Sequence, residues 1–345
     1  EAFYTRQDIC YTIVKNLPEA SLFKSLRILE PSVGVGNFLP CIIEKYRSVK
    51  DVTIDIVDID KTSIDIVREL LALLDIPKNI KINYIVADSL IFDFPCHYDI
   101  VVGNPPYKKL VGSKRLLDLY KSQAENKRTN NLFSFFIEKA LKYGDYVSLV
   151  VPKSLISAPE FNETRSILER YNIMNIVDYG EKAFKGVKIE TISFLVNTTR
   201  CPNITVVESY ITNDKHDYEQ KYITDNSFPY WLIYRNKEFD DIASKMRLGV
   251  FRSFRDRSIT KKDTCVTGKI RVLKSRNIAS NTIVSINGYD CYIDSVNNLA
   301  VGDYLNKSNC VLVPNLTYYP RACFLPKNSI CDGSVAILET KDDGV

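Results

Sequence analysis

The 345-residue sequence has very few histidines and no long hydrophobic run. His97 and His216 are its two histidines, too few for most histidine-based metal sites, and we expect a structural role for His97. No stretch of about 18 consecutive apolar residues occurs, so no membrane span is expected. We find no signal peptide at the start and expect the chain to be a fragment that lacks an element at one end or the other.

Paired cysteine motifs are also absent. Nine cysteines, an odd number, are scattered through the chain, and no Cys-x-x-Cys occurs. This pattern argues against a zinc site and against a disulfide framework, and it favours free thiols in a reducing compartment. We therefore expect no metal and a cytoplasmic location.

The charge is nearly balanced overall but is uneven along the chain. The formal net charge is +4, yet eleven basic and only two acidic residues lie between Lys245 and Arg276. Such a local basic zone is typical of a surface that contacts phosphates. A solubilising surface is the alternative interpretation.

Strand-like and helix-like segments alternate over the first 200 residues. Runs rich in β-branched residues, such as 52–60, are followed by segments with helical spacing, such as 62–74. This alternation predicts an α/β fold with a doubly wound, mostly parallel sheet and helices on both faces. The polar stretch 107–131 reads as a long loop or a loop with one short helix. Beyond residue 225 the pattern changes to short strands and turns, which predicts a smaller β-rich domain over 226–345.

A glycine-containing turn and three acidic residues mark the predicted strand ends. The turn at 30–36 lacks the third glycine of the dinucleotide fingerprint, so a pyrophosphate-binding turn is poorly supported. Glu30, Asp58 and Asp88 each end a successive strand, where carboxylates suit ribose hydroxyls and amines. For each acid taken alone, an ordinary helix N-cap is the favoured interpretation. Together they favour S-adenosylmethionine, which has hydroxyls, an amine and a sulfonium but no phosphate.

The segment Asn104-Pro105-Pro106-Tyr107 stops the fourth strand, since two prolines fit neither a helix nor a central strand. Its parts suit methyl transfer to an adenine amine, a poor nucleophile. The Asn104 side-chain oxygen and the Pro105 carbonyl can accept both N–H protons and so localise the nitrogen lone pair. Tyr107 offers a ring on which an extruded base can stack. This chemistry relies on positioning and fixed dipoles rather than on a metal.

With Glu-Pro-x-x-Gly-x-Gly-x-Phe upstream, this motif resembles the adenine-N6 DNA methyltransferases of the gamma arrangement. They occur in many Type II restriction–modification systems, some fused to an endonuclease. The resemblance covers essentially the whole chain. It implies a seven-stranded, Rossmann-like class I methyltransferase sheet within a catalytic domain at 1–225, and a DNA target-recognition domain at 226–345. The implied reaction moves a methyl group from S-adenosylmethionine to the N6 amine of a flipped-out adenine in double-stranded DNA. A cognate restriction endonuclease, separate or fused, is the second implied partner.

The resemblance also implies roles for individual residues. Asn104, Pro105, Pro106 and Tyr107 match the catalytic motif, and Phe184 looks like a second aromatic that sandwiches the adenine, although core packing explains it equally well. The family often has Phe where Ser89 stands, so one ring contact departs from the pattern. Cofactor binding is implied for Tyr4, Thr5, Glu30, Pro31, Gly34, Gly36, Phe38, Asp58, Ile59, Asp88, Ser89, Asn104 and Pro106.

Basic residues in two regions are candidates for contacts with phosphates or guanine edges. They are Lys108, Lys109, Arg252, Arg255, Arg257, Lys261, Lys262, Lys274 and Arg276. The segment 315–321 reads either as a contact loop or as a buried aromatic turn. For the whole chain, an RNA adenine or protein-glutamine methyltransferase and a non-catalytic DNA specificity module remain as alternatives. A nicotinamide-dependent dehydrogenase is disfavoured by the missing glycine and by the prolines.

Overall fold

A computed structural model describes residues 5–184, 186 and 188–340. Contacts divide the chain into two units, Glu1–Asp240 and Asp241–Val345. This boundary lies beyond residue 225 because the intervening segment packs on the first unit. Ile223, Trp231 and Ile233 are buried in one of the apolar clusters of that unit.

A nine-stranded sheet forms the centre of the first unit, in the order β3-β2-β1-β4-β5-β7-β6-β8-β9. Neighbouring strands from β3 to β5 are parallel, and β7 runs antiparallel to both of its neighbours. The strands are β1 (Ser25–Glu30), β2 (Asp51–Asp58), β3 (Ile80–Val86), β4 (Tyr98–Gly103), β5 (Gly144–Pro152), β6 (Asn172–Gly180), β7 (Thr191–Asn197), β8 (Ile204–Ser209) and β9 (Lys215–Glu219).

The predicted count of seven strands is wrong, because β8 and β9 extend the sheet beyond β6. β8 pairs parallel with β6, and its buried Thr205 donates a hydrogen bond of 2.6 Å to the Ile173 carbonyl. β9 pairs antiparallel with β8 and reads Lys-His-Asp-Tyr-Glu. An edge strand needs no buried face, so its sequence gives no strand-like hydrophobic pattern.

Helices cover both faces of this sheet. Consecutive strand residues point to opposite cores: Ile28 packs with one apolar cluster and Leu29 with the other. Strands buried on both faces read as near-continuous hydrophobic runs. The helices are α1 (Gln7–Asn16), α2 (Leu39–Tyr46), α3 (Lys61–Ala72), α4 (Lys114–Gln123), α5 (Leu132–Tyr143), α6 (Asn162–Leu168), α7 (Gln220–Ile223) and α8 (Lys237–Ala243), which spans the unit boundary.

The second unit is rich in short strands around its own apolar core, which includes Val272, Leu312, Ile330 and Ile337. Its sheets have the orders β10-β18-β15-β16, β14-β11-β17 and β12-β13. The strands are β10 (Phe251–Phe254), β11 (Ile270–Leu273), β12 (Ile278–Ala279), β13 (Thr282–Ile283), β14 (Cys291–Ile293), β15 (Cys310–Pro314), β16 (Cys323–Phe324), β17 (Ser329–Cys331) and β18 (Val335–Thr340).

Within the described part of the chain, the cysteines form no disulfide and the histidines belong to no cluster of potential metal ligands. All nine cysteines are free thiols. His97 Nε2 lies 2.9 Å from a carboxylate oxygen of Asp145 at the surface. Within residues 5–184, 186 and 188–340, no cluster of potential metal ligands is found, and no helix is both long and apolar enough to cross a membrane.

Candidate active site

A cavity of about 410 Å³ opens beside the carboxyl ends of β1, β2, β3 and β4. Parallel strands of a doubly wound sheet direct these ends to one edge, where such folds bind ligands. The volume falls within the range of small-molecule sites. The segments that follow the four strands supply most of the cavity wall.

The carboxylate of Asp58 holds the turn after β1 in place. Gly34, in the left-handed region at a φ of 53°, donates its backbone N–H to Asp58 Oδ2 over 2.9 Å. The backbone N–H of Asp60 donates to Asp58 Oδ1, also over 2.9 Å. Both Gly34 and Asp58 line the cavity. The acid at the end of β2 is therefore fixed in position by two backbone hydrogen bonds.

Two serine hydroxyls join the same turn to the neighbouring loops. Ser89 Oγ, after β3, donates to the Pro31 carbonyl over 2.5 Å. Ser32 Oγ donates to the Asn104 carbonyl, after β4, over 3.1 Å. Ser89 thus anchors the loop after β3 to the turn after β1.

Gly36 lies outside the cavity wall. Its φ is 79°, and a Cβ at this position would lie 3.1 Å from Leu39 and 3.2 Å from Val67 of α3. A side chain is disfavoured both by the backbone conformation and by the close approach of α3. Gly36 therefore serves the packing of the turn against the helix.

The described lining of the cavity contains four acidic side chains and no lysine, arginine or histidine. The acids are Glu30, Asp58, Asp60 and Asp88. Glu30 is 1% exposed, and burial, together with the nearby Asp58, raises the pKa of its carboxyl well above the usual value. A cavity of this composition favours a ligand that is a cation or a hydrogen-bond donor.

Two buried acceptors at the cavity have no hydrogen-bond partner among the described residues. They are Glu30 Oε2 and Thr5 Oγ1. Buried polar atoms are normally satisfied, and the exceptions often mark a place for a ligand. Both residues line the cavity, so both atoms are candidates to receive donors from a bound molecule.

Tyr120 is a cavity residue that the sequence analysis missed. It comes from α4, and its hydroxyl donates to Asp88 Oδ2 over 2.6 Å. Burial, and then this hydrogen bond, raise the pKa of Tyr120. Together with Leu132 and Phe136 of α5, Tyr120 supplies an apolar wall of the cavity. The helix within 107–131 thus contributes directly to the site, and a single aromatic within its polar sequence was the available signal.

The predicted catalytic motif, Asn104–Tyr107, is divided between the cavity wall and the adjacent core. Asn104, Pro105 and Pro106 line the cavity. Tyr107 does not, and burial raises the pKa of its phenol well above the usual value. The Tyr107 ring packs edge-on against Phe184, with centroids 5.8 Å apart and an interplanar angle of 64°. The two rings that were predicted to sandwich an adenine therefore lie next to each other, and in this structure they contact each other directly.

Most predicted cofactor residues come together at this cavity. Tyr4 lies outside the described residues, and Gly36 lies behind the wall. The cavity wall holds the other predicted residues, namely Thr5, Glu30, Pro31, Gly34, Phe38, Asp58, Ile59, Asp88, Ser89, Asn104 and Pro106.

The predicted DNA-binding residues of the first unit directly follow the predicted catalytic motif. Lys108 is exposed. Lys109 is also exposed, and its Nζ lies 3.1 Å from a carboxylate oxygen of Glu160. Lys109 is therefore held to the protein surface, whereas the structure records no ion pair for Lys108 among the described residues.

The predicted DNA-binding residues of the second unit differ in how firmly they are held. Lys274 and Arg276 both pack on the ring of Tyr289, at 4.0 and 4.8 Å from its centre. Lys274 Nζ also donates to the Tyr289 carbonyl. Arg255 Nε donates to the Gly333 carbonyl over 2.8 Å. The remaining four are exposed, namely Arg252, Arg257, Lys261 and Lys262.

Comparison with solved structures identifies the fold. A Listeria monocytogenes protein assigned to the class I S-adenosylmethionine-dependent methyltransferases is 20% identical and superposes with a TM-score of 0.51, over 59% of this chain and 65% of that chain. The Type IIL restriction-modification enzyme MmeI, solved in complex with DNA, is 12% identical and gives a TM-score of 0.56, over 97% and 60% of the two chains. The first unit therefore has the class I S-adenosylmethionine-dependent methyltransferase fold.

Comparison with protein sequences identifies the domain. The Type II methyltransferase M.VspI of Vibrio sp. (strain 343) is 26% identical over 205 residues, which cover 58% of this chain and 48% of the relative. A Type II methyltransferase of Thermus thermophilus is 30% identical over 186 residues, covering 49% and 39%. The chain thus spans about half the length of the curated relatives it matches, or less. Residues 53–184 match the Eco57I restriction-modification methylase family. The chain therefore contains an Eco57I restriction-modification methylase domain at residues 53–184, and the resemblance of its motifs is confirmed at the level of a restriction–modification methylase.

Proposed function

We propose that this protein is an adenine-specific DNA methyltransferase of a restriction–modification system, which uses S-adenosylmethionine and acts on double-stranded DNA. The observation that carries the proposal is the acidic cavity with the Asn104–Pro106 segment in its wall. The cavity provides a place for a cationic cofactor, and the segment provides the acceptors that an adenine amine needs. The same proposal places the protein in the cytoplasm, with a cognate restriction endonuclease, separate or fused, as a partner.

The cavity fits S-adenosylmethionine better than a dinucleotide. Asp58 and Asp88 are suited to ribose hydroxyls and to the adenine amine of the cofactor, and Glu30 is suited to its ammonium group. A dinucleotide carries phosphates, which need cationic side chains or a helix N-terminus. No cationic side chain lines the described part of this cavity. When bound, the cofactor supplies a methyl group on a positively charged sulfur.

The chain's own residues prepare the nucleophile. Asn104 Oδ1 and the Pro105 carbonyl accept the two N–H protons of the adenine amine, which localises the lone pair on nitrogen. Proline restricts φ, so the direction of the Pro105 carbonyl is largely set before the base arrives. With the cofactor bound, the amine nitrogen would take the methyl group as the sulfur–methyl bond breaks and leaves a neutral thioether, and the nitrogen would lose one proton to solvent. The protein contributes position and dipoles rather than a strong base.

Base extrusion requires the aromatic pair to move. The Tyr107 and Phe184 rings contact each other, so no base fits between them until they separate. We assign them to stacking on the extruded adenine, at a benefit of about 1–3 kcal/mol per base. We assign binding of the DNA duplex to Lys108 and Lys109, and to the basic residues of the target-recognition region beyond residue 225.

Substitution of Asn104 tests the proposal. We expect Asn104→Ala to abolish methyl transfer to DNA, because one of the two acceptors for the amine is lost. Cofactor affinity is expected to survive, since the acidic side chains are unchanged. The measurements are incorporation of tritiated methyl groups into DNA and calorimetric titration with S-adenosylmethionine.

Two further variants control for indirect effects. Asn226→Ala changes an exposed asparagine away from the cavity and should retain full activity. Asn104→Asp keeps an acceptor and should retain part of the activity. Full activity in Asn104→Ala would overturn the role of this residue. Transfer to ribosomal RNA or to a release factor, but not to DNA, would assign the same chemistry to another acceptor.

A further inference from the structure

The loop between β15 and β16, residues 315–322, exposes three large apolar side chains; we call it the tyrosine loop. Leu316 is 87% exposed, Tyr318 99% and Tyr319 78%. The alternative of a buried aromatic turn is therefore wrong. The loop is ordered internally, since Thr317 Oγ1 donates to the Tyr319 carbonyl over 2.7 Å. Large aromatic side chains exposed together usually mark an interaction site.

Both ends of the tyrosine loop are anchored to other segments of the second unit. At its start, the Asn315 backbone N–H donates to the Ser334 carbonyl over 3.0 Å, and Asn315 Nδ2 donates to the Gly333 carbonyl over 2.8 Å. At its end, Arg321 donates to the Ser275 carbonyl over 3.3 Å. The exposed rings are thus presented from a fixed base.

The segments that anchor the loop also carry basic residues. Arg255 donates to the same Gly333 carbonyl that Asn315 uses. A Cβ at Gly333 would lie 2.7 Å from the Arg257 side chain, so Arg257 packs directly beside this glycine. Lys274 and Arg276 flank Ser275 in the sequence. With Arg321 of the loop itself, five basic residues lie in the loop or in the segments next to its anchors.

The acids on the same segments are fewer than these five cations, namely Asp256 and Asp332. No acidic residue occurs in 315–322 or in 274–276. Asp332 Oδ1 accepts hydrogen bonds from the backbone and hydroxyl of Ser334. Asp256 accepts from the backbone and hydroxyl of Ser258. The balance around the loop is therefore positive.

We propose that the tyrosine loop contacts duplex DNA, with the Tyr318 ring entering a groove against the bases and the surrounding cations on the flanking phosphates. This inference rests on the proposed function and names the surface through which the second unit meets its substrate. Exposed aromatics also occur in protein interfaces, but the excess of arginine and lysine favours a polyanion. Ring insertion beside phosphate contacts is a known way to grip and bend DNA.

Binding to a fluorescein-labelled duplex of mixed sequence gives the first test. We expect Tyr318→Ala to weaken binding about tenfold, the loss of one ring–base contact, and Tyr318→Phe to bind as the unmodified chain does. Tyr11→Ala is the matched control, because Tyr11 is 62% exposed in the first unit. Arg276→Ala should reduce the slope of log affinity against log salt by about one, whereas Tyr318→Ala should leave it unchanged.

Fluorescence gives a direct test of contact with the bases. The one tryptophan, Trp231, is 4% exposed, so it provides a steady background for Tyr318→Trp. We expect duplex DNA to quench the added emission. Unchanged emission, or equal affinity in Tyr318→Ala and Tyr11→Ala, would overturn the inference. So would self-association that Tyr318→Ala abolishes, since the loop would then serve a second copy of the chain.

Failure of the two proposals can be told apart. If the unmodified chain binds and methylates DNA while the Tyr318 variants match it in affinity, only the role of the tyrosine loop falls. If the unmodified chain neither binds nor methylates DNA, the proposed function falls and the loop loses its assigned partner.

Discussion

The cavity of the first unit and the tyrosine loop of the second unit have side chains of opposite charge around them, and the fold assembles the two sets of charges in different ways. Four acidic side chains and no described base line the cavity. Around the tyrosine loop, arginines and lysines outnumber the acids. The cavity is recessed at strand ends, whereas the loop exposes Leu316, Tyr318 and Tyr319.

The difference shows two routes from sequence to a binding surface. In the first unit, a parallel sheet brings successive strand ends to one edge, so acids far apart in sequence meet as a direct result of topology. In the second unit, hydrogen bonds between irregular segments bring the cations together. If each surface serves its own ligand, damage to one should leave binding at the other intact.

Loss of Asp58 gives the largest expected contrast between the two surfaces. We expect Asp58→Ala to weaken cofactor binding by at least about 100-fold, because hydrogen bonds to a carboxylate contribute roughly 1.5–3 kcal/mol each. The variant also removes the acceptor that fixes Gly34. Affinity for duplex DNA should stay unchanged. Calorimetry with the cofactor and fluorescence anisotropy with DNA measure the two effects.

Asp51→Ala is the matched control for this prediction. Asp51 begins the strand that Asp58 ends, and it is exposed. Replacement of Asp51 should change neither affinity. Equal cofactor binding by the Asp51 and Asp58 variants would show that the acidic strand ends do not hold the cofactor.

Much of the fold follows from local sequence pattern. The helix predicted at 62–74 is α3, and the strand at 52–60 is β2. The single short helix allowed within 107–131 is α4. By contrast, β9 has no readable pattern, because an edge strand that pairs through its backbone needs no apolar side chains.

The site was predictable where it depends on strand ends and not where it depends on tertiary contacts. Asp58 and Asp88 could be placed because Asp58 ends β2 and Asp88 comes just after β3. Tyr120 could not, because α4 is polar and its docking over Asp88 depends on the whole loop. Gly36 is the opposite of Tyr120: it was predicted to bind the cofactor because it matches a motif, but its role in this structure is to let the turn pack against α3.

Glu30 gives the second contrast, through pH. Burial raises the pKa of this carboxyl, so at lower pH the free protein holds it neutral and unable to pair with a cation. Cofactor affinity should therefore rise with pH until Glu30 ionises. In Glu30→Gln we expect affinity about tenfold lower at high pH, the loss of one charged hydrogen bond, and no rise with pH. Calorimetry across pH measures this.

Stability provides an independent check on the same group. A raised pKa means that the folded chain holds the Glu30 proton more tightly than the unfolded chain does. Glutamates of an unfolded chain have a pKa of about 4.3. The contribution of this proton to the free energy of unfolding is complete below the unfolded pKa, and it is lost as pH rises through the pKa of the folded chain. Relative to Glu30→Gln, the unmodified chain should lose at most about 1.4 kcal/mol per pH unit in this window. Glu44→Gln, at a side chain 73% exposed, should show no such trend in urea denaturation.

The smallest expected effect tests how α4 contributes to the acidic cavity. Tyr120→Phe keeps the ring and removes the hydroxyl that donates to Asp88 over 2.6 Å. Loss of one hydrogen bond to a carboxylate should weaken cofactor binding about three- to tenfold, with DNA affinity unchanged. Tyr143→Phe is the matched control, because it removes a Tyr–Asp bond of 2.7 Å to Asp93 outside the cavity. Equal cofactor affinities in the two variants would show that Tyr120 only packs, so that the orientation of Asp88 comes from its own loop, where the Leu90 backbone N–H donates to it over 3.0 Å.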